Sequence, residues 1–120
     1  MYDAGRDTRG ARLAWALEYA GFDVALLRDG WNAWKGEVET VPPQFNPSEF
    51  ALENPKRELL ATVDDIQARD AKTVIVDARN AQEFSGAQLP PGSNRGGHIR
   101  GAINLNWEDL ETATGIKDDA

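Results

Sequence analysis

The residues best suited to chemistry stand at the end of a short β-branched run. Residues 73–76 predict a buried strand, Asp77 follows it directly, and Arg79 comes two positions later. Parallel-sheet proteins bind ligands at the carboxyl edge of their strands, so this carboxylate and guanidinium are candidates for contact with an anion. An ion pair that only organises the turn fits the same spacing at least as well.

A second candidate element places glycines on both sides of a histidine and an arginine. Gly96 and Gly97 precede His98 and Arg100, and Gly101 follows them. This pattern predicts a tight turn that other backbone approaches closely. A single histidine in such a turn is more often a hydrogen-bonded structural group than a catalyst.

A third candidate is the loop over residues 2–10, which runs from a strand end into a helix. Such a loop points several backbone N–H groups into one hollow and can bind an anion. A simple capped helix start explains the same residues, and the loop taken alone favours that simpler explanation. The polar and small residues of interest in it are Asp3, Gly5, Thr8 and Arg9.

Cysteine is absent, and His98 is the only histidine of the 120 residues. These counts exclude disulfides, zinc ribbons and thiol chemistry by the residues of this chain. They also exclude a multi-histidine metal site, and no cofactor-binding motif is present. We therefore expect neither a metal nor a cofactor.

Helices and strands alternate around these candidates. In the first part, residues 11–20 predict a helix buried on more than one side, residues 22–27 a buried strand, and residues 31–35 a short helix. A proline-rich stretch over residues 37–57 then predicts an extended linker, with its phenylalanines pinned against a surface.

Beyond the linker the alternation resumes. Thr62 can cap a helix that runs through Ala68, with acidic residues near its positive end. Residues 81–84 predict a helix, residues 102–105 a further strand, and residues 107–110 a helical turn. The pattern is that of an α/β fold with a parallel sheet flanked by helices.

The charge balance limits the partners. Asp and Glu number 20 against 13 Lys and Arg, which gives a formal net charge of −7. Nucleic acid and anionic membrane surfaces recruit basic faces, so neither is expected as a partner. No apolar run approaches the ~20 residues that span a bilayer. No export signal opens the sequence, which favours the cytoplasm, although such a signal could lie upstream of a fragment.

Taken together and in this order, the motifs resemble the rhodanese family, specifically tandem two-domain sulfurtransferases that act on thiosulfate or 3-mercaptopyruvate. The elements that look like the amino-terminal half of one rhodanese domain are Val76-Asp77-Ala78-Arg79, Gly97-His98-Ile99 and Gly101-Ala102-Ile103-Asn104. Leu27-Arg28-Asp29-Gly30-Trp31 looks like the carboxyl-terminal end of another. The resemblance implies a rhodanese-like parallel sheet present as two incomplete half-domains.

The resemblance also implies an order of domains. Residues 1–36 would be the last part of a first, inactive domain, residues 37–57 the connector, and residues 58–120 the first part of a second domain. In the family the nucleophilic cysteine would lie beyond Ala120, so this chain would be an internal fragment that is inactive alone. Its partners would be a small anionic sulfur donor and the remaining parts of both domains.

Individual roles follow from the same resemblance. Arg79 would lie near the substrate anion, where a guanidinium suits sulfonate or carboxylate oxygens. Arg100 departs from the proline that the family often has between Ile and Gly, and two interpretations stay open: it adds positive potential for the substrate, or it simply lies on the surface. Asp77, Gly97 and His98 would form the structural motif of the turn. Asp3 would stand where an active domain has its cysteine. The loop with Gly5, Thr8 and Arg9 would thus be a retired active site, because a carboxylate is a poor nucleophile toward sulfur.

The expected function is transfer of a sulfane sulfur from thiosulfate or 3-mercaptopyruvate to a thiophilic acceptor such as cyanide, through a cysteine persulfide. One alternative is a non-catalytic module that binds an anion or a protein. A second is that the two half-domains pair as one permuted domain, with residues 22–27, 73–76 and 102–105 in one sheet.

Overall fold

A computed structural model describes residues 1–5, 8–52, 54–112 and 117. The chain divides into two compact units, Met1–Ala61 and Thr62–Ala120. The first unit thus includes the proline-rich stretch. The three-part division of the sequence at residues 36 and 57 stays a prediction.

The first unit contains the longest helix. Helix α1 spans Thr8–Tyr19 and begins three residues earlier than its composition predicts. Its end is closed by two backbone hydrogen bonds, from Gly21 to the Glu18 carbonyl at 2.9 Å and from Phe22 to the Leu17 carbonyl at 3.0 Å. This pair of bonds is the Schellman arrangement that glycine favours after a helix. Only Gly10 of α1 is buried, so burial on more than one side is wrong for this helix.

Residues 22–27 do not form the predicted strand. They do run beside the first residues of the chain. The Met1 ammonium donates to the Ala25 carbonyl at 2.7 Å, and the Leu27 N–H donates to the Met1 carbonyl at 2.9 Å. These two bonds have the spacing of a parallel ladder, but they pair too few residues to make a strand. Helix α2 follows as a single turn, Gly30–Ala33.

The proline-rich stretch is extended, with one short 3₁₀ helix at Arg57–Leu59. Of its two phenylalanines, Phe50 stacks on Phe22 with ring centroids 5.2 Å apart, whereas Phe45 is 83% exposed. The Lys56 N–H donates to the Tyr19 carbonyl at 2.8 Å. The expectation that the aromatics pin this segment therefore holds for Phe50 and fails for Phe45.

The second unit opens with the expected capped helix. Helix α3 spans Val63–Ala68, and Thr62 precedes it as a reciprocal cap. The Thr62 hydroxyl accepts from the Asp65 N–H at 3.2 Å, while the Asp65 carboxylate accepts from the Thr62 N–H at 2.8 Å. A capping box of this kind satisfies two N–H groups that a helix start leaves unpaired.

A strand–helix–strand crossover follows. Strand β1 (Val76–Asp77) pairs in parallel with β2 (Ile103–Asn104), and helix α4 (Ala81–Ser85) lies between them in sequence. A last 3₁₀ helix covers Trp107–Leu110. Both strands are shorter than predicted. In β1 Val76 is 51% exposed, and in β2 both residues are exposed, with Ile103 at 54%. The sheet of the described residues holds these two strands alone, so the single permuted sheet is not what forms.

Neither unit builds a closed core from the described residues, among which no apolar side chain is buried. The chain exposes 10387 Å². Two folded units of half its mass would together expose about 7,700 Å² even if they did not touch. Among the described residues, no helix combines the length and apolar character needed to cross a membrane.

The missing core predicts low stability for the 120-residue chain by itself. We expect it to bind a hydrophobic dye, to melt over a broad temperature range and to self-associate, since exposed apolar area drives all three. Dye fluorescence, differential scanning calorimetry and sedimentation velocity on one sample measure these three properties in turn. A sharp, cooperative melt from a monomer would contradict the expectation.

Candidate anion site at the sheet edge

An ion pair closes the carboxyl end of β1. The Arg79 guanidinium donates to both oxygens of Asp77, from Nε to Oδ1 at 2.9 Å and from Nη2 to Oδ2 at 2.6 Å. The Arg79 backbone N–H also donates to Oδ1, at 3.0 Å. The Asp77 side chain is only 11% exposed, against 36% for Arg79. This contact is bidentate and charge-assisted, which is the strongest kind of side-chain hydrogen bonding.

The ion pair also joins two loops. Nη2 of Arg79 donates to the Gly97 carbonyl at 2.9 Å, which ties the end of β1 to the turn that precedes β2. From the other side, the Asn104 amide donates to the Asp77 carbonyl at 3.0 Å and to the Arg79 carbonyl at 2.7 Å. We call this set of residues, Asp77, Arg79, Gly97 and Asn104, the edge brace.

Both members of the pair stay charged. Hydrogen bonds from the Arg79 side chain hold the pKa of the Asp77 carboxyl below its usual value, and the same contact raises the pKa of Arg79. Asp77 is therefore not a proton donor near neutral pH. The arginine uses Nε and Nη2 in the brace and keeps only Nη1 for a ligand.

A close backbone crossing holds the turn before β2 in place. Gly86, at φ 82°, ends α4, and a Cβ built on it would lie 2.8 Å from the Gly97 nitrogen. At the same crossing, a Cβ built on Gly96 would lie 3.0 Å from the Gly86 Cα. Side chains at these positions would push the two backbone segments apart. The glycines around His98 predict a tight turn that other backbone approaches closely, and the approach of Gly86 to Gly96 and Gly97 confirms it.

His98 lies in the turn as a structural group. Its Nδ1 is 2.8 Å from the Phe84 carbonyl, and because a carbonyl only accepts, Nδ1 is the donor. The imidazole also stacks on the Phe84 ring, with centroids 3.7 Å apart and planes at 9°. These two contacts bind the turn to α4.

The brace and the turn border a cavity of about 680 Å³. Its lining includes the ionisable residues Asp77, Arg79, Arg95, His98 and Arg100. The guanidinium groups of Arg95 and Arg100 make no hydrogen bond or ion pair with the part of the chain that the structure describes. A cavity with these groups can take an anion, since guanidinium matches carboxylate and oxoanion geometry.

The structure brings together the predicted residues Asp77, Arg79, Gly97, His98 and Arg100. It adds two residues that the sequence analysis missed. Arg69 donates from Nη2 to the Arg100 carbonyl at 2.6 Å and so fixes the backbone of that residue. Arg95 lines the cavity from a loop without any periodic pattern, where only its position before Gly96-Gly97-His98 could have drawn attention.

The loop of the first unit is built differently. Asp3 turns its carboxylate back into the loop, where Oδ1 accepts from the Gly5 N–H at 2.7 Å, and its own carbonyl accepts from the Trp31 N–H at 2.7 Å. Thr8 and Arg9 begin α1 and are exposed. Arg6 and Asp7 lie outside the described residues. The loop N–H at Gly5 thus already serves an internal carboxylate.

Comparisons with protein-family models and with curated proteins point to the same family. The family model described as a rhodanese-like domain matches residues 58–119. A putative thiosulfate sulfurtransferase of Haloferax volcanii is 34% identical over 117 residues, 89% of this chain and 41% of that protein. The thiosulfate sulfurtransferase of Corynebacterium glutamicum is 34% identical over 115 residues, 84% of this chain and 38% of that protein.

A third relative is the 3-mercaptopyruvate sulfurtransferase of Escherichia coli. It is 31% identical over 121 residues, which cover 92% of this chain and 41% of that protein. The chain thus spans about two fifths of the length of these curated relatives. No solved structure matches the chain at a significant level.

The glycine crossing yields a stability test. Gly86→Ala should lower the free energy of unfolding by about 1–3 kcal/mol, because it adds both a strained φ and a steric clash. Gly92→Ala is the matched control, since Gly92 has φ 77° but open space around it. Urea unfolding of both variants measures the difference. Equal losses would show that the crossing contributes nothing beyond backbone strain.

The ion pair yields a pH test. The lowered pKa of Asp77 stabilises the fold above the usual value of 3.8, and this stability is lost as pH falls through the lower folded-state value. Asp77→Asn should therefore reduce stability at neutral pH and flatten its decline below ~pH 4. Urea midpoints across this range report both effects. Asp64→Asn, at an exposed position on α3, should lose stability in acid as the parent does. If Asp77→Asn loses as much stability in acid as the parent, the assignment of this effect to Asp77 is refuted.

Proposed function

The chain belongs to the rhodanese family, and on that premise we propose that it forms part of a sulfurtransferase. The reaction is transfer of a sulfane sulfur from thiosulfate or 3-mercaptopyruvate to a thiophilic acceptor such as cyanide. The nucleophile is a cysteine thiolate, and since this chain has no cysteine, the thiolate comes from another part of the protein. The donor anion occupies the cavity at the edge brace.

The proposed chemistry has two steps. The thiolate attacks the sulfane sulfur of the donor, a sulfur–sulfur bond forms, and with thiosulfate the leaving group is sulfite, which departs with the electron pair of the broken bond. The acceptor then attacks the outer sulfur of the persulfide. Cyanide becomes thiocyanate and the thiolate is restored. No external oxidant or reductant is needed.

The cavity beside the edge brace is the observation that carries the proposal. It lies at the carboxyl end of β1, within the stretch that matches the family. The guanidinium groups of two of its lining residues, Arg95 and Arg100, have no partner in the described part of the chain. Arg79 offers Nη1 to the donor, and Arg100, whose backbone Arg69 holds, offers its whole guanidinium. Positive charge here would attract the donor and stabilise the leaving group, which is sulfite from thiosulfate. From 3-mercaptopyruvate the leaving group is pyruvate, whose carbon keeps the electron pair of the broken carbon–sulfur bond and takes up a proton.

Two facts support the view that further protein completes these units. The curated relatives are more than twice as long as the portion that this chain matches. The large aromatic residues are also uncovered, with Trp31 46% and Trp34 47% exposed. We propose that the remaining parts of both rhodanese domains cover this surface, because burial of such apolar area is what stabilises a domain.

In the same proposal, the loop of the first unit has lost its function. Asp3 occupies the position of the nucleophile, and its carboxylate takes a loop N–H group that an anion could otherwise use. A carboxylate at this position also repels an anionic donor. The first unit would then contribute structure and not chemistry.

The absence of cysteine favours one alternative, a non-catalytic rhodanese-like module that binds an anion or a protein. Such a module would use the same cavity without a reaction. The two functions differ in one respect: only the sulfurtransferase forms a persulfide.

The test is a persulfide assay on the 120-residue chain and on the protein as isolated from its source. With thiosulfate, we expect the isolated protein to gain the mass of one sulfur atom on a cysteine outside this sequence and to release it as thiocyanate with cyanide. The chain alone should gain nothing. Binding of thiosulfate without any persulfide in the isolated protein would refute the sulfurtransferase and support the binding module.

A further inference from the structure

The charges around the cavity do not contribute equally. Arg79 is paired with Asp77 and also feels the carboxylate of Glu83, so two negative groups offset its charge. His98 is occupied with the Phe84 carbonyl. The positive potential that remains for a ligand comes from Arg95 and Arg100, neither of which has a partner in the described part of the chain.

The backbone of Arg95 is well held although its side chain is exposed. The Ser93 hydroxyl accepts from the Arg95 N–H at 3.2 Å and donates to the Arg95 carbonyl at 2.9 Å. The next residue, Gly96, is part of the close crossing with Gly86. Arg95 therefore stands on an anchored backbone at the border of the cavity, so that binding a ligand there need not also order the backbone.

From this arrangement we propose that Arg95 is a specificity-determining residue, and that with Arg100 it selects a doubly charged oxoanion donor of the thiosulfate type over a singly charged carboxylate donor. The inference rests on the proposed function and deepens it, since it chooses between the two donor classes named there. In this scheme Arg79 positions the turn and offers the ligand only one nitrogen, Nη1.

The selection follows from the charge of each donor. Thiosulfate carries two negative charges at neutral pH, and 3-mercaptopyruvate carries one on its carboxylate. Coulomb energy is proportional to the ligand charge, so two uncommitted guanidinium groups favour the dianion about twice as strongly in free energy. Sulfate has the charge of thiosulfate without a sulfane sulfur and should occupy the same place.

Isothermal titration of the full 120-residue chain provides the test, because without a cysteine the chain binds a donor without consuming it. The probes are thiosulfate, sulfate and 3-mercaptopyruvate. Arg95→Gln should lose about tenfold in thiosulfate and sulfate affinity, the size of one lost charge-assisted contact. The loss for 3-mercaptopyruvate should be about threefold, the square root of the first.

Two further variants serve as controls. Arg95→Lys keeps the charge and should retain most of the dianion affinity, which guards against a fold defect in Arg95→Gln. Lys72→Gln removes a positive charge elsewhere on the same unit, away from the cavity lining, and should leave all three affinities unchanged. Near-ultraviolet circular dichroism checks that each variant folds as the parent does.

The outcomes separate this inference from the reaction. Equal losses for the dianions and the monoanion would overturn the selection by charge. An unchanged Arg95→Gln would overturn the site, as would a parent chain that binds no thiosulfate under conditions in which sedimentation velocity and circular dichroism show it monomeric and folded. If the affinities change as expected but the protein forms no persulfide, the dianion site is upheld and the proposed sulfurtransferase function is refuted.

Discussion

The second unit depends on one interaction, the contact of the Arg79 guanidinium with both the Asp77 carboxylate and the Gly97 carbonyl. It closes the end of a strand only two residues long, and it holds the turn on which His98, Arg95 and Arg100 stand. A two-stranded parallel pair has few ladder bonds, so a side-chain brace across its edge contributes much of the local order. The cavity exists because that brace keeps the two loops at a fixed separation.

The brace also changes the role of Arg79. An arginine that gives Nε and Nη2 to the fold presents only Nη1 to a ligand, so it fixes position more than it supplies charge. In the proposal, the guanidinium groups of Arg95 and Arg100, which have no partner among the described residues, decide what the cavity binds. The structural pairing of Arg79 is visible only in the contacts, because all three arginines have the same side chain.

Much of this could be predicted from the sequence. Local signals were sufficient for the Thr62 cap, for the parallel order of β1 and β2, and for the close approach at Gly96 and Gly97. The prediction of a strand over residues 22–27 was wrong, because strand formation depends on a partner of adequate length, which local composition does not reveal. Arg95 was missed for a related reason: its place beside the cavity comes with the backbone crossing of its neighbour Gly96 with Gly86, which is ten residues earlier in the chain than Gly96.

The central claim is that a donor anion binds at the edge brace beside Arg95 and Arg100. A crystal structure of the protein soaked in thiosulfate tests it most directly. The account predicts thiosulfate in the cavity, with its oxygens on Arg95, Arg100 and Nη1 of Arg79, and with the Asp77–Arg79 pair intact. Thiosulfate bound elsewhere, or bound only after Arg79 leaves Asp77, would contradict it.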